Sequence, residues 1–297
     1  MRGAERGFLL LTSHLGDPDR KPLTTAQFRM LADRVAKAER PDFEGDLEIS
    51  DLAVLGYGGD MAKRIVMLLS EEERLDHYLR RGASAGCIPI TRISEGYPLI
   101  LRKRLGLDSP GCLWARGDVS LLAEPAVSLV GSRDLREENR RFAAEVGREA
   151  AGQGYVLVSG NARGADRTAQ ESCLAAGGKV ISVVADELAK QPLGDNVLYL
   201  SEDGFEEAFS SQRALSRNRC IHALGLKTFV AQTRAGIGGT WDGTVKNLQN
   251  GWSHVYGCRD GSEGMALLGQ MGAELIGMED LRSFYDLSEP EWNLFDR

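Results

Sequence analysis

Three short stretches of the 297-residue chain join glycine and small or hydroxyl-bearing residues, two of them with arginine, as anion binding requires. Val130-Gly131-Ser132-Arg133 offers a backbone that can approach a phosphate, a hydroxyl donor, and a guanidinium able to clamp it with two parallel hydrogen bonds. Ser159-Gly160-Asn161-Ala162-Arg163-Gly164-Ala165-Asp166 repeats the combination just before a helical pattern. Ala235-Gly236-Ile237-Gly238-Gly239-Thr240-Trp241-Asp242-Gly243 is a third glycine-rich turn of the same kind, carrying an aromatic in place of the arginine. Arg217-Asn218-Arg219 lies in a segment, Ser210 to Asn250, with six basic residues and one acid, Asp242, in a chain of formal net charge −7. Phosphate contact is the chemistry these residue types suit. None of the loops is the G-x-G-x-x-G dinucleotide fingerprint or a G-x-x-x-x-G-K-[ST] loop.

The elements that must position these loops follow from periodicity. Short apolar runs recur at Ala126–Val130, Tyr155–Val158, Val180–Val184, Val197–Leu200, Thr228–Val230 and His254–Tyr256. Helical patterns at Arg136–Gln153, Ala165–Ala176, Trp241–Gln249 and Ser262–Met271 separate most of them. Strands alternating with helices make right-handed βαβ units, so the expected fold is α/β, a doubly wound, mainly parallel Rossmann-like sheet. Ligands on such a sheet bind beyond the carboxyl ends of the strands, where all three glycine loops fall. Upstream, Phe28, Leu31, Val35, Met61, Ile65, Leu75 and Leu79 recur at helical steps. A small helical domain is therefore expected over residues 1–86, with the sheet domain over 87–297. Thr24-Thr25 and Ser70-Glu71-Glu72-Glu73 read as helix starts, the second close to a capping box. The longest connection expected is the Pro/Gly-containing stretch near Arg40 to Gly45.

Composition excludes several classes. With 42% hydrophobic and 27% charged residues the chain can bury a core, and no apolar run approaches a membrane span. The five cysteines lie far apart without a C-x-x-C pair, which argues against zinc and a disulfide framework and for a cytoplasmic protein. The four histidines, His14, His77, His222 and His254, have no metal spacing and read as packing or surface residues. Tyr97 and Trp241 could stack on bases, though beside glycine turns they read first as packing plugs. No cofactor or metal is expected.

The constellation resembles the DNA-processing protein A (DprA/Smf) family over roughly Leu52 to Ile276. Gly96-Tyr97-Pro98-Leu99 with Leu113-Trp114-Ala115-Arg116-Gly117-Asp118 is similar to the family's entry motif. The close succession of S-G-x-A-R-G-x-D and R-N-R-x-I at Ser159–Asp166 and Arg217–Ile221 is the specific part. The resemblance implies single-stranded DNA binding by an extended Rossmann fold, a homodimer, and delivery of the strand to a RecA-type recombinase. It implies phosphate contacts from Arg133, Arg163, Arg217 and Arg219, with Gly131, Ser132, Ser159, Gly160 and Gly164 shaping the pocket. Asp166 would orient an arginine or cap the following helix. Asn218, Gly238, Gly239 and Thr240 complete the expected DNA- and phosphate-binding set.

Departures from the family pattern are also visible. Ala185-Asp186-Glu187-Leu188 stands where the family has a small turn and a DNA-binding lysine, leaving Lys190 nearby. The winged helix that many members carry at the C-terminus is not expected here. Gly238–Gly243 is similar to a loop of nucleotide phosphoribohydrolases, but Gly243 occupies the position of their catalytic glutamate. A binding protein rather than an enzyme is therefore expected. A nucleotide-sensing module of the same fold, a DprA-like component of antiphage defence or toxin neutralisation, and an enzyme acting on a nucleoside monophosphate are the alternatives.

Overall fold

The computed structural model describes residues 1, 3–38 and 47–287; the connection expected near Arg40 to Gly45 lies outside the described residues. The chain opens with five helices, α1 (Gly3–Thr12), α2 (Thr25–Lys37), α3 (Ile49–Val54), α4 (Gly59–Leu69) and α5 (Glu72–Ser84). There follow β1 (Ile88–Thr91), α6 (Leu99–Leu105), β2 (Cys112–Gly117), β3 (Ala126–Val130), α7 (Glu137–Gly152), β4 (Val156–Ser159), α8 (Ala165–Ala175), β5 (Lys179–Val183) and β6 (Val197–Ser201). The order closes with α9 (Ser211–Ser216), α10 (Asn218–Leu224), β7 (Lys227–Val230), α11 (Gly239–Asn250), β8 (His254–Cys258), α12 (Glu263–Gln270) and β9 (Glu274–Ile276).

Among the described residues nine strands form one sheet in the order β1-β2-β6-β5-β4-β3-β7-β8-β9. From β6 to β9 every pairing is parallel, whereas β1–β2 and β2–β6 are antiparallel. The six strands β5-β4-β3-β7-β8-β9 have the order of a Rossmann sheet, so the direction of winding reverses between β3 and β7. All five residues of β3 are buried, as a strand covered on both faces must be. Helices α7 and α8 pack on each other and on β3 and β4, while α10 packs on β3 with α6 and α11 as neighbours. Ser128, pointing toward α10, hides its hydroxyl by donating to the Ile221 carbonyl oxygen.

The six expected strands all form, with ends shifted by a residue or two. Three further strands, β1, β2 and β9, were not expected. β2 carries the Leu113–Gly117 part of the motif, whose arginine and glycine hid its strand character, and β1 contains Pro89. Helix α1 absorbs the Phe8–Leu11 run, and all four of those residues are buried. The capping box belongs to Thr24 and Gln27 at the start of α2, where each side chain binds the other's backbone. Ser70 instead ends α4, donating its hydroxyl back to Met67, and Glu71 begins α5 without a side-chain cap.

Helices α1 to α4 enclose a small core around Leu31, Leu52, Ile65 and Leu68. A second cluster joins them to the sheet: Leu9, Leu10 and Leu75 meet Cys87, Trp114, Val184 and Phe205. Tyr78, Trp114 and Phe205 lie within 4.7–5.2 Å of one another, ring centre to ring centre. Gly82 has to be glycine here, because a Cβ would lie 2.8 Å from the Trp114 ring. Phe205→Ala should therefore cost about 3–5 kcal/mol. Urea unfolding followed by tryptophan fluorescence and by circular dichroism should show one shared, earlier transition; separate transitions would mean that the helices fold independently of the sheet.

Candidate functional site

Beyond the carboxyl ends of β3, β4 and β7, where the winding reverses, lies a cleft of about 420 Å³. Its walls come from the loop after β3 (Gly131 to Asp134), from α9 and α10, and from the segment Thr233 to Thr240 that starts α11. Such a crevice is where an open parallel sheet places its ligand, and this volume suits a ligand of nucleotide size.

Arg217 forms the inner wall. It is 8% exposed, donates from Nη2 to the Gly160 carbonyl oxygen at 3.0 Å, and donates from Nη1 to Asn218 Oδ1 at 3.2 Å. Gly160 has no room for a side chain, since a Cβ would lie 1.7 Å from Arg217 Nη1. Beneath the guanidinium, Asp166 accepts from the Gly160 and Ala162 amides at 3.1 and 3.2 Å. It thereby fixes the loop after β4 instead of capping α8. Burial pushes the Asp166 carboxyl above its ordinary range, while the Arg217 charge and the two amides pull against that shift. Burial likewise lowers the Arg217 pKa, with Asp166 opposing it, but a guanidinium stays charged.

The other expected residues divide into frame and rim. Gly131 belongs to the frame: a Cβ would lie 2.4 Å from that of Ala165, so this glycine lets α8 sit close to β3. Gly164 turns the chain with φ at +88° against the Arg133 carbonyl. Ser132 donates its hydroxyl to Gln232 O, while Ser159, fully buried, accepts from Gln170 through Oγ and does not line the cleft. Asn218 binds Gly239 O through Nδ2, tying α10 to α11. Gly238, at φ +90°, leaves the first turn of α11 without a side-chain cap, and Gly239 and Thr240 line the cleft there. The first amides of a helix have no partner within it and favour an anion.

On the rim, Arg133 is exposed and makes no hydrogen bond or ion pair with the described residues. Arg163 is highly exposed and paired at 2.7 Å with an equally exposed Asp134. Arg234, which sequence reading counted only as part of a basic segment, lines the cleft with an exposed side chain. It sits one residue before the third glycine loop and could have been found by starting that loop at the strand end. Arg219 departs from expectation. It points away from these residues and binds Glu202 at 2.6 Å, Asp108 O at 3.0 Å and Ser216 O at 2.7 Å. Glu202 is buried and accepts from it, so Arg219 is occupied with neutralising a carboxylate inside the fold.

Lys190 is tied to Glu187 at 2.8 Å and does not line the cleft. Tyr97 is buried with its hydroxyl on Pro110 O, and Trp241 packs against the core, so both serve as packing residues. All five cysteines are free. Among the described residues no acidic, cysteine or histidine cluster is placed to hold a metal ion, and no helix is long and apolar enough to cross a membrane.

A doubly wound α/β sheet with an arginine-walled cleft at its switch point defines a Rossmann-like protein. The chain belongs to the DNA recombination-mediator protein A family, whose sequence model matches residues 89–247. It is 29% identical over 192 residues to DNA processing protein DprA of Streptococcus pneumoniae, covering 60% of this chain and 68% of that one. It is 32% identical over 157 residues to the Bacillus subtilis protein of the same name, covering 49% and 51%. The Streptococcus pneumoniae DprA crystal structure superposes with a TM-score of 0.67 at 22% identity, over 87% of this chain and 97% of that one. DNA processing protein A of Helicobacter pylori, described for its single-stranded DNA binding mode, superposes with a TM-score of 0.53 at 24% identity, over 66% and 92%.

The frame and the rim should respond differently to substitution. Asp166→Ala strips two amides of their acceptor and leaves Arg217 without its buried counter-charge, so it should cost about 3 kcal/mol or more. Arg163→Ala removes an exposed ion pair and should change stability by no more than about 0.5 kcal/mol. Urea midpoints of the two variants check this contrast; equal losses would refute the division.

Proposed function

We propose that this cleft holds single-stranded DNA by its phosphates, with an affinity independent of sequence, and that the chain is a DNA-handling protein without catalysis of its own. The observation that carries the reading is the convergence of the buried Arg217, the uncapped start of α11 and the unpaired Arg133 and Arg234 on one cleft. The single-stranded DNA binding described for the Helicobacter pylori relative supports it. The local carboxylates are committed: Asp166 to two amides, Asp134 to Arg163, and Asp242 to Lys246 at 2.9 Å. That disposition supports binding over hydrolysis. In the finer form of the proposal, drawn from the family resemblance, the protein acts in the cytoplasm as a homodimer and passes the strand to a RecA-type recombinase. The cleft's size favours one alternative, a free nucleotide as the ligand.

Binding of a fluorescent oligo-dT of about 20 nucleotides across a salt series, with duplex DNA and free nucleotides as competitors, separates the two readings. Tight binding that weakens with salt and resists free nucleotides is expected. Arg133→Ala and Arg234→Ala, whose side chains make no hydrogen bond or ion pair with the described residues, should each weaken binding about tenfold. Each should also flatten the logarithmic salt slope by about 0.7. Absence of oligo-dT binding at low salt, with a nucleotide raising the melting temperature, would replace the DNA reading by the nucleotide one.

A further inference from the structure

His222 lies on α10, fully buried, and lines the cleft at its inner end. Its protonation can be derived from its neighbours. Asn247 Oδ1 accepts from the Ser253 amide at 2.9 Å, which fixes the orientation of that side-chain amide. Asn247 Nδ2 therefore faces His222 Nδ1 at 3.2 Å, and also donates to Ser253 Oγ at 3.0 Å. The Ser253 hydroxyl is in turn shared with Thr228 at 2.6 Å, deep between β7 and β8. An Nδ1 that accepts leaves the proton of a neutral imidazole on Nε2. Burial holds the ring neutral by pushing its pKa down to about 3.

Among the described residues that Nε2–H has no partner. It faces α11 one turn in from its start, where a Cβ on Gly243 would be 3.2 Å away. Two more buried polar atoms without partners, Arg217 Nε and Thr233 Oγ1, belong to residues lining the same cleft. A fold rarely leaves buried donors unmade, and three orphans around one cleft at an uncapped helix start mark where a ligand's acceptor atoms go.

We infer that His222 is a ligand-binding residue whose neutral Nε2–H donates to a non-bridging phosphate oxygen held between Arg217 and the start of α11. The Asn247–Ser253–Thr228 chain is the device that keeps the proton on that nitrogen. This role rests on the phosphate reading of the cleft. It adds a neutral donor that fixes the position of the anion without adding charge.

Oligo-dT titration of the full chain tests it. His222→Phe keeps a planar ring but removes the donor, and should weaken binding about tenfold. His222→Gln restores an amide donor at nearly the same place and should stay within about threefold of the parent. Long-range proton–nitrogen correlation spectra of the unmodified protein should show the Nε2–H tautomer, with its proton resonance shifting as oligo-dT is added. That second readout holds even if a variant fails to fold. Binding by the parent with equal affinity in a folded His222→Phe, or an Nδ1–H tautomer, would overturn the inference. Absence of binding by the parent would instead overturn the phosphate reading itself.

Discussion

A guanidinium held in a nearly dry position is the constraint around which the site is built. Arg217 can be buried only because Gly160 offers a carbonyl oxygen at 3.0 Å and no Cβ, and because Asp166 supplies charge from below. Asp166 is available for that purpose because the loop after β4 wraps around it, and that loop keeps its shape through Gly164, whose φ of +88° is strained for any other residue. The packing of α8 on β3 requires Gly131 in its turn. The glycines that look like phosphate-approach residues in the sequence thus do their first work inside the protein. They bring a buried arginine to the end of the sheet, where its free Nε can meet a ligand.

The charge arrangement follows the same logic. A chain of net charge −7 has no general attraction for nucleic acid, so attraction has to be local. The basic segment Ser210 to Asn250 contributes less than its composition suggests. Arg213 is spent on Asp203 and three carbonyl oxygens, Arg219 on Glu202, Lys227 on the Phe284 carbonyl oxygen, and Lys246 on Asp242. What remains for a ligand is Arg217 within the cleft and Arg234 on its rim, joined by Arg133 from the loop after β3. Position at the strand ends, not the count of basic residues, decides which of them serve.

The parallel core was legible because each βαβ unit writes its own signal: an apolar run, a glycine, then a helical stripe, as at Ala126–Val130 followed by Gly131 and α7. The antiparallel edge was not, since β2 ends in Arg116-Gly117 and β1 contains Pro89, features that read as loop until a partner strand accepts them. At the site, Arg217 and Asp166 were legible through motif spacing. Arg219 points away from the cleft because residues two apart on a helix point about 200° apart, so Arg217 and Arg219 face nearly opposite sides. His222 was passed over because a histidine among Ile221, Ala223 and Leu224 looks like a packing residue. Its partners Asn247 and Ser253 lie 25 and more residues away and meet it only when α10 packs under α11.

Rim and floor differ in stiffness, and that difference bears on what the cleft can accept. The floor donors are fixed: Arg217 by Gly160 and Asn218, His222 by Asn247, and the α11 amides by the helix itself. The rim arginines at 133, 163 and 234 are exposed and can reorient at little cost. A cleft of about 420 Å³ encloses roughly one nucleotide, so any longer strand must leave it across the surface where those rim residues stand. A phosphate has the same shape in every nucleotide, so a rigid floor can hold it whatever the base. Bases and the emerging backbone vary in shape and direction, so the flexible rim can follow them. On the proposed reading, fixed donors inside and mobile charges outside would let one cleft grip a strand without reading its sequence.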